Sequence, residues 1–226
     1  DSSFGINGLD TVHLDNANYV NGMVIQPDGK IVVIGTCRPS FSVQPNSFIF
    51  RIMPNGGLDP SFGENGSVIT QYDEYVSTAG LVLKPDGKLV KGLTYHLYYS
   101  HPTYQLESFN PDGSVDAGFG TNGVARFTFG EGQGGQWNSI MYDFALQPDG
   151  KIVCTGEYYA KNGNILSGVY RVNPNGVMDT SFGYEGMDSV RTDNISYTTG
   201  IVIQPDGKIV VSGDSRKSVY DDNRTF

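Results

Sequence analysis

Few side chains in this 226-residue sequence have the type and spacing to do chemistry. His96 and His101 stand five residues apart, a spacing two metal ligands on one loop could have. Neither a cysteine nor a third histidine accompanies them, and a zinc site takes three or four ligands in a set geometry, so they read as solvated loop histidines. The run Asn110-Pro111-Asp112-Gly113-Ser114-Val115-Asp116 places oxygen groups at alternate positions, like the first half of a calcium loop, but lacks the distal glutamate. Asx-type bonding of these side chains to nearby amides accounts for the same residues as a turn. Asp73-Glu74 and Asp221-Asp222 lie in polar segments and read as solvated charge. The glycine-rich segment Gly130 to Gly135 has no Lys-Ser/Thr after it, so it is no phosphate cradle. Gly-x-Ser-x-Gly, His-Glu-x-x-His, Cys-x-x-Cys and Walker-type patterns are missing from the sequence. The expectation is a chain with no catalytic residues, no metal and no cofactor.

The elements that would position any site are set by repetition. Pro-Asp-Gly-Lys occurs four times, as Pro27-Asp28-Gly29, Pro85-Asp86-Gly87, Pro148-Asp149-Gly150 and Pro205-Asp206-Gly207, each followed by lysine, at spacings of 58, 63 and 57 residues. Phe-Gly after a small residue recurs at Phe4, Phe62, Phe119 and Phe182, and Pro-(Asn/Asp)-Gly at Pro54, Pro111 and Pro174. Proline presets φ, Asp or Asn bonds its own backbone, and glycine accepts φ > 0, so these are tight turns. Between them lie short runs rich in Val, Ile, Phe and Tyr, which is strand composition. In the first unit the runs are Gly8 to Val12, Met23 to Gln26, Lys30 to Gly35 and Phe48 to Ile52. Gly/Pro-free stretches never exceed 13 residues and show no 3.6-residue period, which argues against helices. One four-stranded antiparallel sheet per unit cannot bury both faces alone, so neighbouring sheets must stack. Radial stacking makes an all-β β-propeller of four-stranded blades; a linear array is the alternative.

The units run approximately 1–58, 59–115, 116–178 and 179–226, one repeat domain with the last unit incomplete, and the expectation is a part of a larger propeller. Thirty glycines, about 13% of the chain and nearly twice the usual share, agree with so many turns. The net charge of -9 disfavours nucleic acid as a partner. No apolar run is long enough for a membrane span, and no targeting leader opens the segment. Cys37 and Cys154 are too few for a disulfide framework, fall at non-equivalent positions, and read as small buried hydrophobes.

Gln26 to Val33 and Gln204 to Val211, both Gln-Pro-Asp-Gly-Lys-Ile-Val-Val, together with Asn110 to Ser114 and Leu58-Asp59-Pro60-Ser61-Phe62-Gly63, closely resemble the delta-60 repeat family. The resemblance covers essentially the whole chain. It implies a propeller fold in a bacterial exported or cell-surface protein, sometimes cargo of a type IX secretion route, with no catalytic residues. Two units depart from the pattern: Lys91-Gly92-Leu93 replaces Val33-Ile34-Gly35, and Asp143 stands where Gly22, Gly80 and Gly200 stand.

All the recurring turns fall on one rim of such a propeller, which leaves the opposite rim to the loops that vary between units, the usual place for a binding site. Those loops carry Tyr95, Tyr98 and Tyr99 in the second unit and Tyr158 and Tyr159 in the third. A six-residue insertion in the third unit holds Trp137, the only tryptophan. Tyr and Trp offer flat apolar faces with a polar edge, suited to sugar rings or protein hot spots. The functional expectation is a non-enzymatic exported binding or scaffold module that engages a protein partner or a surface glycan. The alternatives are a polysaccharide hydrolase or lyase on the same scaffold, and a subunit or cargo of a secretion-system or envelope complex.

Overall fold

In the computed structural model, residues 1–12, 17–38, 46–96, 103–128, 140–159, 165–190, 195–216 and 224–225 are described, and among them every regular element is a strand. The first sheet is β1 (Ala17–Ile25), β2 (Ile31–Arg38), β3 (Asn46–Ile52) and β4 (Ser67–Thr70), antiparallel in that order. The second is β5 (Tyr75–Leu83), β6 (Leu89–His96), β7 (Thr103–Phe109) and β8 (Val124–Thr128). The third is β9 (Met141–Leu146), β10 (Ile152–Tyr159), β11 (Ile165–Val172) and β12 (Met187–Val190). The fourth holds β13 (Ile195–Ile203), β14 (Ile209–Arg216) and the short β15 (Arg224–Thr225). A parallel bridge between Ile165 and Ile195 joins the third sheet to the fourth.

Each of the first three sheets takes three strands from one sequence unit and its outermost strand from the next. The run after Phe-Gly, read above as the first strand of a unit, is the last strand of the preceding sheet. The physical reason is the turn Phe62-Gly63-Glu64-Asn65-Gly66, which sends the chain back along β3: Arg51 N–H donates to the Gly66 carbonyl at 3.0 Å, and β4 then pairs with β3.

The sheets stack face to face because every strand of a sheet presents side chains on both faces. Val32, Ile34 and Ile49 of the first sheet pack against Leu81, Leu89 and Phe109 of the second. Val90 and Leu106 continue on to Phe144, Ile152 and Tyr170 of the third, and Val153 and Val169 reach Ile201 of the fourth. A fully buried side chain of this kind contributes about 1.5–3 kcal/mol, so the interfaces between sheets dominate the stability.

The departures noted in the sequence are resolved by this stacking. Asp143, in the place of a glycine, turns its Oδ2 to the amide of Ile201 in the neighbouring sheet at 3.0 Å. Gly92 stands where a side chain would meet the Phe144 ring at 2.4 Å, so the large Phe144 takes the room left by the missing side chain.

On one rim the recurring motifs interlock. Asp28, Asp86, Asp149 and Asp206 each accept from the amide two residues on, which closes the Pro-Asp-Gly-Lys turns. Lys30, Lys88 and Lys151 then reach Asp59, Asp116 and Asp179 of the following motif at 2.9–3.2 Å. Asp59 also binds Arg51 Nε at 2.9 Å and the Ser61 amide and hydroxyl; Asp179 repeats this with Arg171 and Ser181. The serine contacts, with the lysine and arginine, hold both carboxyls well below the usual carboxylate range despite the cost of burial. Successive sheets are stapled by Gly63 N–H to the Asp112 carbonyl and Gly120 N–H to the Asn175 carbonyl, both 2.7 Å.

Gly120 has φ +55 and a Cβ there would lie 2.2 Å from the Val124 carbonyl oxygen, whereas Gly57, at φ +80, faces open space. Gly120→Ala is expected to cost more than the roughly 1–2 kcal/mol that left-handed φ alone costs, and Gly57→Ala about that amount. Urea unfolding of the two variants checks the order; equal losses would refute the steric account.

Candidate ligand-binding rim

The rim opposite the interlocked turns is where β2, β6 and β10 end and β1, β5 and β9 begin. Of the residues the sequence nominated there, Trp137, Tyr98 and Tyr99 lie outside the described residues, as does His101. Tyr158 and Tyr159 are the last two residues of β10, paired along the backbone with Leu166 and Ile165, and their side chains lie outside the described ones. Tyr95 is described, and it is a strand residue: it lies near the end of β6, opposite Thr103.

Tyr95 sits in a set of groups that the sequence reading did not assemble. Its ring meets Tyr72 edge-on at 6.0 Å, and the Arg126 guanidinium lies over it at 5.5 Å. Such a cation over a ring face is attracted by the ring quadrupole. Arg126 Nε donates to Gln105 Oε1 at 2.6 Å, and Gln105 Nε2 donates to Glu107 Oε1 at 2.5 Å. The same Glu107 oxygen accepts from Tyr72 OH at 2.8 Å. The contacts therefore close on themselves, from Tyr95 through Arg126, Gln105, Glu107 and Tyr72 back to Tyr95.

Lys91 anchors this circuit from below. Its Nζ lies 2.6 Å from Glu107 Oε2 and donates to Ser47 Oγ at 2.7 Å, and to Tyr72 OH at 3.0 Å. Lys91 is fully buried, and burial lowers its pKa against the opposing pull of Glu107. Burial likewise raises the Tyr72 hydroxyl, so it remains a donor. Thus the lysine that interrupts the apolar pattern is the ionic floor of the rim between the first and second sheets. The sequence signal was the charge at position 91 itself. Its partner Glu107 occupies the place of Phe50 in the first sheet, so the two substitutions face each other across paired strands.

Beside the circuit, Tyr75 and His96 pair across β5 and β6 with ring centroids 5.3 Å apart, and His96 Nε2 lies 3.0 Å from Ser77 Oγ. His96 is thus engaged with an aromatic ring and a hydroxyl. Among the described residues no group of three His, Cys, Asp or Glu side chains is placed to hold a metal ion. The alternating oxygens of Asn110 to Asp116 are spent within the fold: Asp112 accepts from the Ser114 amide and hydroxyl, and Asp116 binds Lys88 and Ser108. Cys37 and Cys154 are both buried and unbridged, and burial pushes the Cys154 thiol up.

Glu157 occupies the corresponding end of β10 and faces the fourth sheet with Ser167, its cross-strand partner. It is 5% exposed, and burial raises its pKa from 4.5 to about 7 despite a hydrogen bond from Tyr142.

With the fold and rim in place, the class of protein is clear: an all-β propeller assembled from repeats of about 60 residues. Residues 26–62, 147–182 and 204–226 match the family described as the domain of unknown function (DUF5122) beta-propeller. None of the curated protein sequences matches the chain. Among solved structures, the endo-arabinase from Bacteroides thetaiotaomicron VPI-5482 superposes with a TM-score of 0.50 at 13% identity, over 92% of this chain and 73% of that one. A structure provisionally titled a gluconolactonase gives 0.42 at 12% identity, over 86% and 54%. At such identities the likeness to the endo-arabinase is one of fold alone.

Two outcomes are expected. Lys91→Val or Glu107→Phe alone leaves an uncompensated buried charge and should cost about 3–5 kcal/mol, while the double variant, which restores the residues of Val33 and Phe50, should cost far less than the sum. A double-mutant cycle by denaturant unfolding decides it, and additive losses would contradict the pairing. For Glu157, the folded state holds its proton up to about pH 7 whereas the unfolded chain loses it near 4.5. Stability from this group is therefore complete below about pH 4.5 and is lost as pH rises through 7, on the order of 3 kcal/mol in all. Glu157→Gln should flatten that part of the Tm against pH curve; an unchanged slope would remove Glu157 as its source.

Proposed function

We propose that this chain is a non-enzymatic binding or scaffold module that presents its variable-loop rim to a surface glycan. The observation that carries this reading is the pinned pair Tyr72 and Tyr95, held from beneath by Lys91 and Glu107 and flanked by Arg126, with the half-exposed Tyr75 beside it. An aromatic ring that is already immobilised loses little entropy on binding, and stacks on the apolar face of a sugar ring while neighbouring polar groups bind its hydroxyls. A protein partner docking its own aromatic or arginine anchors on this rim is the second reading. Within the proposal, Trp137, Tyr98, Tyr99, Tyr158 and Tyr159 extend the same surface. Within this reading the module works outside the cell, as a secreted or surface protein; a cargo or accessory subunit of a secretion system of type IX kind is an alternative to it.

The competing reading is a polysaccharide hydrolase or lyase, in keeping with the endo-arabinase whose fold it shares. Glycoside hydrolysis needs two carboxyl groups converging at about 5–9.5 Å in one cleft. The carboxylate in the circuit with Tyr95 is otherwise engaged: Glu107 is bound by Lys91, Gln105 and Tyr72.

Calorimetric titration against a panel of soluble polysaccharides, arabinan included, tests the assignment together with a reducing-end assay on the same mixtures. The expected result is binding that weakens at least tenfold in Tyr75→Ala, with an unchanged melting curve and no new reducing ends. Equal affinity in the variant would move the site elsewhere, and release of reducing ends would overturn the non-enzymatic reading.

A further inference from the structure

Three buried oxygens between the third and fourth sheets have no hydrogen-bond partner in the protein: Glu157 Oε2, Ser167 Oγ and Thr198 Oγ1. Their residues are 5%, 0% and 0% exposed. Leaving a buried polar atom unpaired is costly, and folded proteins satisfy nearly all of them, so three at one interface point to a ligand. Tyr142 donates to the Glu157 carboxyl, and among the described residues no cation faces it.

The strand register brings the three together. Glu157 and Ser167 are cross-strand partners in β10 and β11, on the face that carries Val153 and Val169 toward Ile201 of the fourth sheet. Thr198 pairs with Gly213 of β14, in alternation with Ile209 and Val211, and so faces the third sheet. The preceding interface gives the reach across. Thr94 and Glu157 each stand six residues after the lysine of their turn motif, and Met141 and Thr198 each stand seven before the proline of theirs. Thr94 Oγ1 accepts from the Met141 amide at 2.9 Å, so these two places touch between the second and third sheets. Glu157 and Thr198 hold the same two places one interface on. All three residues lie near the variable rim, third from the end of β10, third in β11 and fourth in β13.

The first interface shows what such a cluster takes. Ser47 stands where Ser167 stands, and it accepts from the Lys91 ammonium, which Glu107 neutralises. In the fourth sheet Val211 holds the place of Lys91, so Ser167 and Glu157 keep the oxygens of that arrangement without its cation. We propose that Glu157, Ser167 and Thr198 bind an alkali-metal cation, taken from solution, between the third and fourth sheets. A hard cation takes oxygen donors, and a carboxylate with two hydroxyls supplies them. One carboxylate balances a single positive charge, whereas a divalent ion leaves a net charge in a buried interface. The other titratable groups around the cluster are engaged or turned away. Asp143 accepts from the Ile201 and Phe144 amides. Asp188 is exposed on the outermost strand, and Tyr197 and Asp214 pair on the opposite face of the fourth sheet. The cation favours the ionised carboxyl and so opposes the burial that raises it.

The test is the melting temperature of the chain at pH 8 and at pH 5 in sodium, potassium and choline chloride at equal ionic strength, with Glu157→Gln and Thr198→Val beside the parent. At pH 8 the expected result is a saturable rise of roughly 5–10 °C in sodium or potassium over choline, the shift a ligand gives at about a hundred times its dissociation constant. At pH 5 the carboxyl holds its proton and the rise is lost. Glu157→Gln keeps the shape, removes the charge and loses the rise at both pH values; Thr198→Val moves the half-saturating salt concentration up at least tenfold. Broadening of the sodium NMR resonance by the parent and not by Glu157→Gln reads binding directly. Equal melting in all three salts, a rise that survives in Glu157→Gln, or saturation by calcium chloride alone overturns the proposal.

Discussion

Everything in this molecule follows from a sheet with two apolar faces. A four-stranded antiparallel sheet of this composition cannot leave both faces in water, so each unit is stable only when packed against a neighbour. The mainly aliphatic contacts between Ile34 and Leu89, or between Val153 and Ile201, are therefore the structural bond of the fold, and the hydrogen-bonded turns decide only how sheets are angled and spaced. The ionic knots at Asp59 and Asp179 serve the second purpose. They tie the turn at one end of β1 or β9 to the connector that leads out of the same sheet, and the Gly63 and Gly120 amides tie that connector to the next sheet.

Much of this was legible in the sequence. Pro-Asp-Gly-Lys marks a turn because its residues fix φ, cap the amide two positions on and admit a left-handed glycine, and no longer-range information is needed to read it. The phase of the sheets was less accessible. The run after Phe-Gly has strand composition wherever it pairs, and only the reversal through Gly66 or Gly123, which depends on contacts with the preceding strand, assigns it to the earlier sheet. The variable-loop rim shows the same division. Tyr95 stood out by type, but its neighbours Tyr72 and Arg126 come from the connection after β4 and from β8, and their convergence depends on how two sheets face one another. The lysine at position 91 was visible as an anomaly, while its partner Glu107 could be paired with it only once β6 and β7 were in register.

The buried polar groups differ from one interface to the next. Between the first two sheets, Lys91, Glu107 and Gln105 replace apolar contacts; between the last two, Glu157, Ser167 and Thr198 do so. The cost of each such change is limited to a single interface.

The one-strand offset between unit and sheet has a mechanical side. Because each outermost strand belongs to the next unit, the links along the chain are clasped like the rings of a chain rather than set side by side like beads. A force applied to the two ends of the polypeptide must first peel an outer strand from β3, β7 or β11 before either flanking sheet is freed, so extension loads hydrogen bonds between units before it reaches those within them. A protein anchored at one end and pulled at the other would therefore resist as a row of interlocked clasps, giving way one at a time.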